Sequence, residues 1–135
     1  MNARAVLPYL ALASLLTVGC HQETPAQKLA AVEARGRALV LQGQYPQAIT
    51  LYTKAIEGDG TNGSVYFHRG TARMLDAQSG GVSELDDAIN DFTLAIQLDP
   101  KLAPSAYHSR GDAEHLKGDE DLAKEDWLRG NVIPK

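Results

Sequence analysis

Apolar and polar positions divide this chain into an opening apolar run and a longer, punctuated remainder. Ala5 to Val18 is a 14-residue apolar run, and Arg4 is the only charge before Glu23. Beyond it, apolar residues come in blocks bounded by helix punctuation. Thr24-Pro25 reads as a cap followed by proline at the first helical position. Gly43, Gly118 and Gly130 read as helix stops, and Ser64 and Ser83 as N-caps. Asp99-Pro100 should end a helix, because the residue before a proline avoids helical angles. The pattern predicts an all-α chain of six helices near 25–42, 46–57, 64–77, 83–98, 103–117 and 119–130.

The blocks repeat. Arg-Gly-x-Ala occurs at Arg35-Gly36-Arg37-Ala38, at Arg69-Gly70-Thr71-Ala72 and at Arg110-Gly111-Asp112-Ala113. Each is followed by an alanine and, four residues on, an aromatic: Ala48 and Tyr52, Ala88 and Phe92, Ala123 and Trp127. Residues four apart share a helix face. This pattern resembles the tetratricopeptide repeat, a helix-turn-helix unit of about 34 residues. Gly36, Ala48, Tyr52 and Ala55 match its first unit; Gly70, Ala88, Phe92, Ala95 and Pro100 match the second. Gly111, Ala123 and Trp127 match the third, where Gly130 replaces the last alanine.

The resemblance implies a solenoid of about three repeats, near 29–62, 63–102 and 104–135. Its glycines would let the first helix of each unit approach the second, the alanines would face them, and the aromatics would fill the gap to the next helix. The second unit carries extra residues between Asp76 and Val82. The unit position usually held by tyrosine is here Leu39, Arg73 and Glu114, and Arg73 is expected to pair with Glu114. Only Val132 to Lys135 follow the third unit, in place of the usual closing helix, so a partner or a second copy is expected to cover that end.

The opening run is too short to cross a bilayer as a helix, which takes about 20 residues. A short basic start, an apolar stretch and small residues before a cut site describe a secretory signal. It ends Leu16-Thr17-Val18-Gly19-Cys20, which resembles the bacterial lipobox. The resemblance implies cleavage before Cys20, diacylglycerol on its thiol and, usually, acylation of the new N-terminus. Residues 1–19 would then be the signal, 20–28 the acylated cysteine and a short linker, and 29–135 the repeat domain. At about 0.8 kcal/mol per buried methylene, two or three acyl chains hold a protein firmly. No aspartate follows Cys20, so by resemblance to the sorting rules of enteric bacteria outer-membrane anchoring facing the periplasm is expected.

Composition and charge narrow the function. Aromatics are 6% of the chain, so the core must be built largely from Ala, Leu, Val and Ile. A net charge of −4 argues against nucleic acid as a partner. The charge is uneven: His21 to Leu75 holds six bases and four acids, Asp76 to Lys135 six bases and thirteen acids. Oppositely charged halves steer partners or favour head-to-tail contacts.

By the resemblance, the first helix of each unit lines a concave groove. Glu33, Arg37 and Val40 with Leu41, then Phe67, Thr71 and Met74, then His108, Asp112 and His115 would face it. Such a groove suits an extended peptide or a helix with apolar anchors. The lysine and asparagine set that grips chaperone C-terminal carboxylates in this family is absent, so that ligand is not expected. His108, Asp112 and His115 are metal-ligand types on one helix face, but ~10 Å separates the outer two. No metal or cofactor is expected on that ground. Asp86-Asp87 and Asp119-Glu120-Asp121 stand at helix starts, where the dipole favours them. With Cys20 acylated and no phosphate-cradling loop, no catalysis is expected. The expected function is a lipid-anchored adaptor or assembly factor that binds another envelope protein. The alternatives are a structural lipoprotein that self-associates through its C-terminal repeat and, more weakly, a metal-binding periplasmic module.

Overall fold

The computed structural model describes residues 22–80 and 84–131. Six helices follow in order: α1 (Pro25–Leu41), α2 (Tyr45–Gly58), α3 (Gly63–Gln78), α4 (Leu85–Leu98), α5 (Ala103–Lys117) and α6 (Glu120–Gly130). A single 3-10 turn, Pro100–Leu102, precedes α5, and there is no strand among the described residues. Each helix packs on its neighbours in sequence, giving three antiparallel hairpins stacked side by side, with α1, α3 and α5 along one wall. The all-α repeat solenoid expected from the sequence is the fold observed.

Local chemistry sets the helix ends. The Gln27 N–H donates to Thr24 Oγ1 at 3.2 Å and the Thr24 N–H donates to Gln27 Oε1 at 2.8 Å, a reciprocal cap that satisfies two orphan donors. Gly43 (φ 70°) and Gly118 (φ 93°) carry the chain out of α1 and α5 in the left-handed region. Asp99 is extended and stops α4 before Pro100, and its carboxylate accepts from the Lys101 N–H at 3.1 Å.

One end signal reads differently in the structure. Asn62, not Ser64, caps α3: its Oδ1 accepts from the Ser64 N–H at 3.0 Å. The helix therefore starts earlier, and the Ser64 hydroxyl is left to donate to Glu33 of α1. Gly130 is the last residue of α6, as its stop signal predicts, but its missing side chain is also needed for packing. A Cβ there would stand 2.7 Å from the His108 ring and 2.9 Å from the Pro104 carbonyl. Glu84 occupies the cap position of α4, and Ser83 lies outside the described residues.

The core follows from small residues facing large ones. Ala48, Tyr52, Ala88, Phe92, Ala95 and Ala123 are fully buried, whereas Ala55 and Trp127 are half-buried and Pro100 is exposed. Each aromatic covers the glycine of its own hairpin: a Cβ added at Gly36 would run into the Tyr52 ring, one at Gly70 would stand 3.0 Å from Phe92, and one at Gly111 would stand 2.8 Å from Trp127. The aromatics thus close the hairpin first, and only then reach its neighbour, as where Tyr52 stacks on His68 at 5.8 Å.

Buried ion pairs lock the hairpins. Arg69 donates twice to Asp91 of its own hairpin, at 2.9 and 2.7 Å, and once to Thr53 of the preceding one at 3.2 Å. Arg110 repeats this with Asp126, at 2.5 and 2.9 Å, and with Thr93 at 2.9 Å. The expected pairing of Arg73 with Glu114 does not form. Arg73 turns to the acid-rich start of α4, with Glu84 at 3.1 Å and Asp91 at 2.8 Å, while Glu114 stands 4.0 Å from Arg110 one turn back on its own helix.

Candidate functional site

The wall formed by α1, α3 and α5 holds an open cavity of about 340 Å³. Arg37, Val40 and Leu41 of α1 line one side, Phe67, His68 and Thr71 of α3 the other, with Tyr52 and Ser109 completing it. Leu41 is 88% exposed at its mouth and adds apolar surface to the rim. The aromatic floor is continuous: Phe67 meets His68 edge-on at 5.7 Å and lies 5.8 Å from Phe92.

The electrostatics leave one accessible cation. Arg37 is more than half exposed, and its nearest acid, Glu33, is 3.9 Å away and already accepts from Ser64. Burial pushes His68 below the usual histidine range, Arg37 adds to this, and Glu33 opposes it, so the imidazole is neutral at neutral pH. Burial likewise pushes the Tyr52 phenol upward, and its buried hydroxyl has no hydrogen-bond partner. The Thr71 hydroxyl is turned back on the Phe67 carbonyl at 2.9 Å. The cavity therefore offers an apolar floor, a neutral imidazole and a single guanidinium at its rim.

Arg37, Val40, Phe67 and Thr71 thus come together, and the other expected groove residues do not. Glu33 sits beside the cavity. Met74 packs against the cluster of Leu85, Ala88 and Phe92. At the far end, His108 Nε2 lies 3.1 Å from Asn131, Asp112 accepts from the Trp127 indole at 3.0 Å, and His115 Nδ1 lies 2.7 Å from Glu120. Each is drawn to α6 or the residue after it instead of to a common centre. Among the described residues no group of three or more His, Cys, Asp or Glu is placed to hold a metal ion. Sequence reasoning assigned no role to His68, although it shares a face with Ser64 and Thr71 at helical spacing. Ser109 was missed because it reaches the cavity from the next hairpin. Cys20 lies outside the described residues.

A second cavity, of about 370 Å³, opens between the first turns of α1 and the end of α2 and shares no lining residue with the groove. Leu29 stands in α1 where α3 has Gly63. A Cβ at Gly63 would stand 2.9 Å from Asp99, so α3 starts hard against the end of α4, whereas Leu29 fills that place in the first hairpin and lines the opening.

The comparisons with known proteins agree with this geometry. A family model described as TPR repeat matches residues 36–75. The second TPR of Spaghetti (RPAP3), bound to the HSP90 peptide SRMEEVD, superposes with a TM-score of 0.66 at 28% identity, covering 80% of this chain and 94% of that one. The fold is a tetratricopeptide-repeat stack. The first TPR of Spaghetti, bound to the same peptide, matches with a TM-score of 0.65 at 28% identity, covering 77% of each chain. Hsc70-interacting proteins 1 and 2 of Drosophila melanogaster are each 36% identical over 98 residues, which is 71% of this chain. The chain spans about a quarter of the length of these curated relatives (24%). In repeat terms, the cavity lies on the first helices of three successive units.

Proposed function

We propose that this chain is a non-catalytic protein-interaction module, anchored to a bacterial envelope membrane through Cys20, that binds a peptide or helix of another protein in its groove. The cavity on α1, α3 and α5 carries the reading: an apolar floor, an exposed Leu41 and, at one rim, a solvent-exposed Arg37. The chemistry selects a segment with a large apolar side chain and a nearby carboxylate. The solved domains of the same fold that carry a bound HSP90 peptide support a peptide in this role. The peptide SRMEEVD itself is not the proposed ligand, because Glu33 opposes its acids and Arg37 stands alone.

No helix among the described residues is long and apolar enough to cross a membrane. The proposed attachment is the acylated cysteine, with the outer membrane as destination and an adaptor or assembly factor as the role. Incorporation of labelled palmitate that disappears in Cys20→Ser tests the anchor; equal labelling of the variant refutes it. For the groove, a photo-crosslinker placed at Leu41 should trap one partner protein, and Arg37→Glu should suppress the adduct. An adduct that also forms from exposed Asn90 on α4, or that survives Arg37→Glu unchanged, would overturn the groove reading.

A further inference from the structure

The arginines of the Arg-Gly-x-Ala blocks mark the joints between hairpins, and one of the three has no joint. Arg69 and Arg110 each bridge an aspartate of their own hairpin and a threonine of the one before. Small apolar residues flank them. Val65 and Ala72 of α3 are buried in a cluster with Ala48 and Tyr52 of α2, and Ala113 of α5 is buried with Ala88 and Phe92 of α4. Arg35 holds the same place in α1, and Ala31 and Ala38 match Val65 and Ala72. All three are exposed. Leu51 stands where the other hairpins have Asp91 and Asp126, so α2 offers Arg35 no carboxylate. Arg35 forms no ion pair with any described residue.

The other end of the stack is its complement. Leu128 of α6 occupies the place of Thr53 and Thr93, which accept from the next hairpin's arginine, and it is 70% exposed. Leu122 is 52% exposed. Asp121, Glu125 and Leu128 share one helix face by spacing, and both acids are exposed, with Glu125 accepting from Arg129 at 2.6 Å at the surface.

We propose that a second copy of this chain joins these ends, with α1 of one copy docking on α6 of the next. Ala31 and Ala38 seat against Leu128 and Leu122, and Arg35 meets Glu125 and Asp121. The charge of the two halves favours this order: six bases against four acids in His21 to Leu75, six against thirteen in Asp76 to Lys135. Such a contact is heterologous, so it extends into a row of copies instead of stopping at a dimer. It is weaker than the internal joints, because Lys124 and Asn131 replace the isoleucines that α2 and α4 present at Ile49, Ile56, Ile89 and Ile96. Salt weakens it further, since its charged pair lies near solvent. The joint uses the outer face of α1 and leaves Arg37 and Leu41 free, so it goes beyond the groove reading and stands or falls separately.

Sedimentation velocity of the purified full-length chain, in density-matched non-ionic detergent, tests it. The sedimentation coefficient should climb with protein concentration and fall back in high salt. Arg35→Glu and Glu125→Arg should each hold the chain as a monomer, and the double variant should associate again. A coefficient that stays constant with concentration overturns the proposal. So does association that survives Arg35→Glu and Leu128→Glu unchanged. Arg37→Glu, which is expected to abolish groove cross-linking, should leave the coefficient as in the parent chain.

Discussion

Asp91 receives two guanidinium groups, Arg69 at 2.7 Å and Arg73 at 2.8 Å, while only 1% exposed. Removing one partner of a buried pair leaves the other uncompensated, at a cost of about 3–5 kcal/mol. Asp91→Ala should therefore lower unfolding stability by that order in a urea titration, with Arg69→Ala close behind. Glu114 poses the opposite case. It is 7% exposed, and burial, with Asp126 adding to it, pushes its carboxyl above the usual value of 4.5; Arg110 offsets only part. The folded state thus holds the proton more tightly than the unfolded one, so stability falls as pH rises above 4.5 through the raised value. Glu114→Met should raise the melting temperature at neutral pH and flatten that slope. His68 acts in reverse: its value is depressed below 6.5, so stability is lost as pH falls beneath 6.5, and His68→Gln should remove that loss. The recurring arginines are plain in the sequence. Their acids are not, because Asp91 lies 22 residues from Arg69 and Asp126 lies 16 from Arg110, and only the crossing of the helices brings them together.

Helices here are bounded by chemistry that acts over four residues or fewer, and that part is legible in advance. Thr24, Gly43, Gly118 and Asp99-Pro100 all do what their residue types require. Thr24→Ala should cost about 1 kcal/mol, read as earlier fraying of α1 by amide exchange. Where two caps compete, as with Asn62 and Ser64, Asn62 takes the role by accepting from both the N–H and the hydroxyl of Ser64. Gly130 does end α6, and it also leaves space for His108 and Pro104, a need the local pattern does not show. At Gly70 a Cβ would lie 3.0–3.2 Å from Phe92, Asp91 and the Ala88 carbonyl. Gly70→Val should then cost about 1–3 kcal/mol by overpacking, with the hairpin of α3 and α4 melting first.

At the scale of the whole molecule, the three hairpins of the described residues leave one concave wall and exposed outer faces on α1 and α6, and each carries a distinct expectation. The wall is proposed to take a segment through Arg37 and Leu41, and charge reversal at Arg37 should release it. The ends meet through Arg35 and Glu125. The third unit's share of the expected groove does not converge: His108 pairs with Asn131, Asp112 with Trp127 and His115 with Glu120. His115→Ala should accordingly leave cross-linking from position 41 unchanged while removing the contact to Glu120.

The amino-acid order alone was enough for the helices, their number, their pairing and the small residues on which each hairpin closes. Those depend on spacing along the chain and on residue size. Which acid each arginine meets, which face of α3 opens to solvent and which histidine reaches the cavity were decided by the rotation of one hairpin on the next. That rotation is set by all the packed side chains at once, so no short stretch of sequence encodes it.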